Sequence, residues 1–250
     1  MTTRLLILGG TAEAAALARE AAERFGAQLE VITSLAGRTA RPAMPRGAVR
    51  IGGFGGADGL AAYLAEQRID LLIDATHPFA RTISAHARVA ADAAGVERLV
   101  LWRPGWPRHP LDRWIEVEDM AGAAAALPQA GRRALVTVGT GEIAAFAGLP
   151  RVWMLVRLFE APAEPLPLAS HELLVDKGPF SLAGERRLLE TRGIDVLVSK
   201  ASGGPATLPK IEAARALSLP VVMVRRPPPE PGDRVDQVAA AVDWIAQRLV

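Results

Sequence analysis

Short apolar segments alternate with segments of helical periodicity along the whole chain, and this alternation constrains the fold more than any other feature. Residues 69–73, for example, form an apolar run without Gly or Pro, and a helical pattern follows over residues 79–94. Strands that alternate with helices predict parallel sheets whose faces are covered by helices. The alternation pauses over residues 128–133 and then begins again. We therefore expect two α/β domains, residues 1–130 and 131–250, with a ligand cleft between them.

The composition excludes several classes of protein. Half of the 250 residues are hydrophobic, the formal net charge is only +2, and the basic residues are spread along the chain, unlike a nucleic-acid-binding surface. Cysteine is absent, which excludes disulfides and thiolate metal sites, and we expect no metal site. No apolar run approaches the roughly 18 residues that span a bilayer, and the N-terminal segment lacks the apolar core of a signal peptide. We expect a cytoplasmic protein that binds neither nucleic acid nor membrane.

The first predicted strand ends in the turn Gly9-Gly10-Thr11, and an alanine-rich helix with Glu13 in its first turn follows over residues 12–25. Glycines let backbone amides approach an anion, and the N-terminus of a helix adds positive potential. We therefore assign Gly9, Gly10, Thr11 and Glu13 to a cofactor phosphate site in a dinucleotide-binding, Rossmann-like domain. The two glycines are adjacent and no third follows, unlike G-x-G-x-x-G, so a tight turn capped by Thr11 is an alternative interpretation.

The next predicted strand, residues 28–32, ends without the Asp or Glu that binds the ribose hydroxyls in NAD-specific domains. Hydroxyl groups and a guanidinium group follow it instead. Such groups suit the 2′-phosphate of NADP, so we expect NADPH as the cofactor. A polar surface loop is the alternative, because arginine is common in this chain. The residues assigned to this end of the cofactor are Thr33, Ser34, Gly37 and Arg38.

Three polar side chains, Asp74, Thr76 and His77, leave the strand over residues 69–73 together, and Pro78 follows them. Open α/β sheets bind ligands at the carboxyl ends of their strands. We expect Thr76 and His77 to flank the nicotinamide half of the cofactor, while Asp74 orients the turn. His77 can exchange a proton near neutral pH, so it either donates a proton or only shapes the pocket. In the alternative interpretation, Thr76 caps the helix that Pro78 begins.

Lysine is rare, since only three of the 29 basic residues are lysines, and each lies within three residues of a glycine or a proline. Lys177 lies in D-K-G-P, Lys200 in S-K-A-S-G-G and Lys210 in L-P-K. A lysine at a turn supplies a compact, flexible charge that an arginine does not replace. We expect a functional role for Lys177 and Lys200. The position of Lys210 is equally consistent with function and with chance placement in a loop.

The chain contains three segments that together resemble the precorrin-6A reductase family of cobalamin biosynthesis: I-L-G-G-T-A-E-A near the start, D-A-T-H-P-F-A in the middle and S-K-A-S-G-G near the end. The resemblance covers essentially the whole chain. It implies a reductase that transfers a hydride from a nicotinamide nucleotide to a corrin-ring precursor. Family members of the aerobic route use NADPH and metal-free precorrin-6A, whereas those of the anaerobic route act on the cobalt-containing analogue, some with NADH. Ser34 and Arg38 favour the NADPH side.

The substrate that this resemblance implies is a large macrocycle carrying many carboxylates. Cationic side chains and glycine-exposed amides suit such a ligand. We name His77 and Lys200 as catalytic residues, and the candidate proton donors are His77, Lys177, Lys200 and water. We assign two clusters in the second half of the chain to substrate binding. Their residues are Asp176, Lys177, Gly178, Ser202, Gly203 and Gly204.

Other functions are compatible with parts of this pattern. An NADH-dependent cobalt-precorrin-6A reductase would take the cobalt-containing substrate, and a different NADP-dependent reductase would not act on corrin precursors. A non-enzymatic nucleotide-binding module would need only the first half of the chain, which leaves the Lys–Gly clusters of the second half unexplained. A methyltransferase is disfavoured because the second strand lacks an acid for the adenosine ribose. The sequence does not choose between a monomer and a dimer.

Overall fold

The computed structural model describes residues 2–37 and 46–249. Its strands are β1 (Thr3–Leu8), β2 (Leu29–Leu35), β3 (Ala48–Ile51), β4 (Leu71–Asp74), β5 (Glu97–Leu101), β6 (Arg113–Val117), β7 (Arg133–Val136), β8 (Trp153–Leu158), β9 (His171–Val175), β10 (Val196–Lys200), β11 (Pro220–Val224) and β12 (Arg234–Val235). Its α-helices are α1 (Ala12–Phe25), α2 (Ala57–Glu66), α3 (Arg81–Ala94), α4 (Met120–Ala130), α5 (Leu182–Thr191), α6 (Pro209–Ala216) and α7 (Val238–Ala246). Three 3₁₀ helices cover Gly26–Gln28, Thr140–Phe146 and Pro205–Thr207.

The chain divides into two compact units, each built on a six-stranded sheet. The first unit comprises Met1–Pro104 and Pro227–Val250, and the second comprises Gly105–Arg226. Neighbouring strands are parallel in both sheets. The expected fold class, α/β with two Rossmann-like domains, is confirmed. Within the residues that the structure describes, no helix is both long and apolar enough to cross a membrane.

The sheet of the first unit has the order β12-β5-β4-β1-β2-β3, so the direction of winding reverses between β1 and β4. Successive residues of β1 are buried on opposite faces. Leu5 and Ile7 pack with residues of α1 and α7, whereas Leu6 and Leu8 pack with residues of α2 and α3. Helices therefore cover both faces, which explains why β1 is a continuous apolar run rather than an alternating one.

The sheet of the second unit has the order β6-β11-β10-β7-β8-β9, and its winding reverses between β7 and β10. Leu135 of β7 and Leu197 of β10 belong to a buried cluster with Leu189 of α5 and Ile211 of α6. Five strands have the same order in the two sheets: β5-β4-β1-β2-β3 in the first and β11-β10-β7-β8-β9 in the second. The sixth strand is β12, beside β5, in the first sheet and β6, beside β11, in the second.

The domain boundary expected at residue 130 is not where the chain divides. Pro227–Val250 belongs to the first unit because β12 pairs with β5, placing Arg234 beside Val100, and α7 buries Trp244 and Ile245 against the first sheet's core. Residues 105–130 belong to the second unit because β6 pairs with β11. The first sheet thus takes its sixth strand, β12, from the chain after the second unit, whereas the sixth strand of the second sheet, β6, lies before the other strands of that unit.

Some local expectations also differ from the structure. The strand predicted to end at residue 32 continues to Leu35, so Thr33 and Ser34 lie within β2. The helix expected from residue 79 begins at Arg81, because the residues after Pro78 form a turn in which Ala80 N donates to His77 O at 2.7 Å.

Candidate functional site

The turn after β1 is closely packed at one glycine and open at the next. Gly9 N donates to Ser34 O over 2.9 Å, and a Cβ atom at Gly9 would lie 2.9 Å from Thr33 Cγ2. A side chain at Gly9 would therefore displace the neighbouring strand. Gly10 has a φ of +101°, and no atom of the described residues lies within 4 Å of the place where its Cβ would be. The turn thus leaves open space beside the N-terminus of α1, where an anion is stabilised.

Thr11 ties this turn to the end of β4. Its hydroxyl accepts a hydrogen bond from Ala14 N at 3.1 Å, which caps α1, and donates to Ala75 O at 2.7 Å. The bond joins the two strand ends on either side of the reversal in strand order, where doubly wound sheets bind ligands. Glu13 forms an ion pair of 2.7 Å with Arg103, so a cation neutralises the acid at the helix start. An anion at the turn therefore does not face an unpaired carboxylate on Glu13.

Asp74 fixes the conformation of the chain after β4. Its side chain is buried, and Oδ1 accepts hydrogen bonds from Thr76 N at 3.1 Å and from the Thr76 hydroxyl at 2.7 Å. The Thr76 hydroxyl also lies 3.3 Å from Ser84 Oγ of α3. Thr76 is therefore held by the carboxylate before it and is not the N-cap of α3, which is Ala80.

His77 closes the turn that follows. Its Nδ1 accepts a hydrogen bond from Phe79 N at 3.3 Å, and its ring lies 5.8 Å from the Phe79 ring. Because Nδ1 accepts, the proton of the neutral imidazole is on Nε2. His77 therefore presents a donor on Nε2, and its ring orientation is set by its own turn.

The end of β2 differs from the polar loop that the sequence suggests. Thr33 and Ser34 are both buried, and Thr33 Oγ1 has no hydrogen-bond partner among the described residues. The methyl group of Thr33 packs beneath Gly9, which makes Thr33 a packing residue of the glycine turn. Gly37 has a φ of +72°, so the chain turns there. Arg38, expected to bind the 2′-phosphate, lies outside the described residues.

In the second unit, Lys200 ends β10 and forms an ion pair with Glu142. Its Nζ lies 2.6 Å from Glu142 Oε2, and the same oxygen accepts a hydrogen bond from Gly139 N at 3.0 Å. Gly139 and Glu142 follow β7, the strand beside β10. The carboxylate of Glu142 thus links the two strand ends at the reversal of the second sheet.

Lys210 is buried, which the sequence left open. It lies in the first turn of α6, and its Nζ donates to Thr137 Oγ1 at 2.8 Å, while that hydroxyl donates to Val198 O at 3.0 Å. Burial, with the positive charge of Arg157, lowers the pKa of Lys210 from 10.5 to about 7. Glu185 opposes this shift and Lys200 adds to it. A cation at the start of a helix is unfavourable, so Lys210 is charged only at considerable cost.

Arg157 and Glu185 form a buried ion pair with a separation of 2.5 Å, and the Arg157 guanidinium lies 4.0 Å from the centre of the Phe180 ring. Glu185 Oε2 has no hydrogen-bond partner among the described residues. This pair and Lys210 concentrate charge inside the second unit. Nothing in the sequence distinguishes these residues from exposed ones, because burial follows from the packing of α5 and α6 on the sheet.

The residues assigned to substrate binding follow two different strands of the second sheet. Asp176, Lys177 and Gly178 follow β9, and the backbone of Asp176 donates to Leu158 O at 2.9 Å. Ser202, Gly203 and Gly204 follow β10, with Ser202 buried and both glycines at positive φ. Three strand spacings separate β10 from β9, or about 14 Å. The two clusters share one edge of the sheet but are not in contact through adjacent strands.

The first unit brings several predicted cofactor residues together. Gly9, Gly10 and Thr11 meet the chain after β4 through the Thr11–Ala75 bond, and they meet β2 through Ser34. Arg50 of β3, which has no place among the predicted site residues, lies beside Ser34 of β2. Its signal was the glycine-rich stretch that follows it. Within the described ranges no group of three or more His, Asp or Glu side chains is arranged to hold a metal ion.

Comparison with known proteins gives consistent matches over the whole chain. The family model described as "Precorrin-6x reductase CbiJ/CobK" matches residues 4–246. A precorrin-6A reductase from Rhodococcus erythropolis is 47% identical over 244 residues, covering 97% of each chain, and one from Mycobacterium tuberculosis H37Rv is 44% identical, covering 98% of each. The solved structure titled "CobK precorrin-6A reductase" has a TM-score of 0.92 and 39% identity, covering 98% of this chain and 97% of that one. The chain therefore belongs to the precorrin-6x reductase family, and it is an oxidoreductase that acts on a small molecule with a nicotinamide cofactor.

Proposed function

We propose that this protein reduces precorrin-6A to precorrin-6B with NADPH, by hydride transfer to the macrocycle, in cobalamin biosynthesis. The relatives that are 44–47% identical over nearly their full length are named precorrin-6A reductases, which supports the metal-free substrate. The observation that carries the proposal is the open turn at Gly10 beside the N-terminus of α1, at the reversal of the first sheet. A site of this kind suits the pyrophosphate of a dinucleotide.

The residues of the first unit fit a nicotinamide dinucleotide. Gly9, Gly10 and Thr11 would hold the pyrophosphate, because a Cβ atom at Gly10 would occupy otherwise open space. Ser34, with Gly37 and Arg38, would hold the ribose end. Glu13 contributes indirectly, through its ion pair with Arg103 at the start of the helix. When bound, the cofactor supplies the hydride, so the protein contributes mainly binding and orientation.

Thr76 and His77 are proposed to flank the nicotinamide half. The two hydrogen bonds from Thr76 to the buried Asp74 carboxylate keep this segment in one conformation, which is what precise placement of a reacting carbon needs. Reduction of a conjugated ring also takes up a proton. The Nε2 proton of His77, the ammonium groups of Lys177 and Lys200, and water are the candidate sources. We favour a pocket-shaping role for His77, because its Nδ1 is engaged within its own turn.

The second unit is proposed to bind the substrate. The carboxylates of the macrocycle would bind the ammonium groups of Lys177 and Lys200 and the amides around Gly178, Gly203 and Gly204, with Asp176 and Ser202 shaping the two turns. The separation of about 14 Å between the two clusters suits a ligand with carboxylates on several sides of a large ring. A small substrate would use only one cluster.

The direct test is anaerobic incubation of the protein with precorrin-6A and NADPH that carries deuterium at both C4 positions, followed by measurement of absorbance and product mass. We expect loss of the substrate chromophore and a product that carries one deuterium. The parallel reactions use NADH and cobalt-precorrin-6A. Faster turnover of the cobalt substrate, or equal rates with NADH and NADPH, would instead support the anaerobic-route reductase. Consumption of neither corrin precursor would contradict the proposed function altogether.

A further inference from the structure

The segment R-I-G-G-F-G-G, residues 50–56, has no role in the assignments above. Its first residue, Arg50, lies in β3 directly beside Ser34 of β2 in the parallel register. The edge strand β3 therefore places a guanidinium next to a residue that already belongs to the candidate cofactor site. Four of the next six residues are glycines, so Ile51 and Phe54 are the only residues of this stretch after Arg50 that carry side chains.

The guanidinium of Arg50 is held in a fixed orientation. It lies 3.7 Å from the centre of the Phe54 ring and 5.2 Å from that of Tyr63, and these two rings make an edge-to-face contact. Its Nη1 and Nη2 atoms each donate to a backbone carbonyl at 2.6 Å, those of Gly52 and Gly53. Stacking and paired hydrogen bonds orient a planar fork before any ligand arrives, which lowers the entropic cost of binding.

No carboxylate of the described residues pairs with the positive charge of Arg50. Within residues 2–37 and 46–249, many arginines form ion pairs with carboxylates, as Arg46 does with Glu23 at 3.0 Å, but Arg50 forms none. Its partners are carbonyl oxygens, the hydroxyl of Ser34 at 3.4 Å and an aromatic ring, and Nε makes no hydrogen bond to the described residues. A fixed guanidinium with spare donors and no carboxylate is suited to bind an anion.

The position of the Arg50 guanidinium relative to the glycine turn indicates which anion it would bind. Gly9 N contacts Ser34 O, and the Ser34 hydroxyl contacts Arg50, so the glycine turn, β2 and Arg50 follow one another across adjacent strands. A dinucleotide whose pyrophosphate lies over the turn after β1 extends its adenosine ribose across the end of β2. We propose that Arg50 binds the 2′-phosphate of NADPH and determines the preference over NADH. This inference rests on the proposed function, since it deepens the assignment of the cofactor.

The test measures binding of NADP⁺ and NAD⁺ to the full chain by calorimetry, without corrin substrate. Arg50→Gln should weaken NADP⁺ binding by roughly ten- to a hundredfold, the value of one charge-assisted contact, and change NAD⁺ binding less than about twofold. Arg50→Lys, which keeps the charge without the planar fork, should lie between wild type and Arg50→Gln. The matched control is Arg46→Gln, which removes a nearby exposed arginine and should leave both affinities unchanged.

Each result decides one point. Unchanged NADP⁺ affinity in Arg50→Gln, or equal losses for both nucleotides in a variant that still melts cooperatively, overturns the role of Arg50. If Arg50→Gln does not fold, Arg50→Lys takes its place, with a loss confined to NADP⁺ in support and equal losses against. A wild-type protein that binds NAD⁺ as tightly as NADP⁺ contradicts the proposed cofactor preference itself, whereas a preference that survives in Arg50→Gln contradicts only the present inference.

Discussion

The strand ends at the reversal of the two sheets share a topology but not a chemistry. In the first unit, β1 leads through Gly10 at positive φ into α1, a helix of 14 residues, and open space adjoins the turn. In the second unit, β7 leads through Gly139 into a 3₁₀ helix, and Gly139 N is already bonded to Glu142. One turn is free to bind an external anion, whereas the other binds a carboxylate of its own chain.

The polar side chains near the two reversals of strand order also differ, because those of the second unit include more charged groups. The first has one buried acid, Asp74, that holds Thr76. The second has the Lys200–Glu142 ion pair and, deeper in the unit, the buried Lys210, whose ammonium bonds to Thr137. Strand order thus fixes where a ligand can bind, whereas the local residues decide whether that place is left open. It supports cofactor binding in the first unit and a different ligand in the second.

The largest expected effect is at the open turn. Gly10→Val places a branched side chain in the space beside the start of α1. The valine residue must also adopt the positive φ of this position, which costs about 1–3 kcal/mol. We expect NADPH affinity to fall by about a thousandfold, or about 4 kcal/mol. Calorimetric titration with NADPH measures this change.

Gly141→Val is the matched control in the second unit. No described atom lies within 4 Å of a Cβ atom at Gly141, and Gly141 is not at positive φ, so the protein should tolerate the change. NADPH affinity should remain that of the wild type. Equal losses of NADPH affinity in the two variants would show that the two turns do not differ in cofactor binding.

The second expected effect concerns the buried charge. Because burial lowers the pKa of Lys210 from 10.5 to about 7, the unfolded chain binds a proton between these values that the folded chain does not. The free energy of unfolding should therefore rise with pH from about 7 to about 10.5, by up to about 1.4 kcal/mol per pH unit, and the cost is fully present below pH 7. Lys210→Met should remove this slope and stabilise the protein at pH 6 by about 2 kcal/mol.

Urea unfolding at pH values from 6 to 10 measures this slope. Lys177→Met makes the same substitution at an exposed position and should change stability by less than about 0.5 kcal/mol at every pH. A wild-type curve as flat as that of Lys210→Met would mean that Lys210 is charged in the folded protein at little cost. The buried charge of Lys210, which distinguishes the second unit from the first, would then have no measurable effect on the free energy of unfolding.

Elements whose signals are local were predicted well from the sequence. The helix α1 begins and ends at the predicted residues, 12 and 25, because an alanine-rich helical pattern lies between Thr11 and Gly26. The candidate cofactor turn could likewise be predicted from the sequence, since glycines between a strand and a helix are a local signal. The extension of β2 through Thr33 and Ser34 was missed because buried hydroxyl residues resemble a loop in sequence.

Features that depend on distant partners could not be predicted. The strand β12 has two residues, too few for any periodicity, and it exists because it pairs with β5 more than 130 residues earlier. The same pairing moved the domain boundary away from residue 130. Lys210 is likewise buried against Thr137, a residue distant in sequence, and the stacking of Phe54 on Arg50 depends on how the chain turns after β3. No local sequence pattern predicts either contact.

The smallest expected effect tests whether the second unit's strand end binds the substrate. Lys200→Ala removes an ammonium that is partly exposed and paired with Glu142. A partly exposed ion pair contributes at most about 1 kcal/mol to stability, so the melting temperature should stay within a few degrees of wild type. If Lys200 also binds a substrate carboxylate, kcat/KM for the corrin precursor should fall about tenfold while NADPH affinity is unchanged. Steady-state kinetics and NADPH titration of the same preparation measure both.

Arg192→Ala separates substrate binding from the mere loss of an ion pair. Arg192 pairs with Glu172 at 2.7 Å and its side chain is more exposed than that of Lys200, but it precedes β10, whereas Lys200 ends it. Its removal should leave kcat/KM unchanged. Equal kinetic losses in the two variants would mean that the second unit responds to any broken ion pair. An unaffected Lys200→Ala would mean that Lys200 does not bind the substrate. A loss confined to Lys200→Ala would show that the carboxyl end of the second sheet binds the substrate through a side-chain cation, unlike the turn after β1, where backbone amides face the open space.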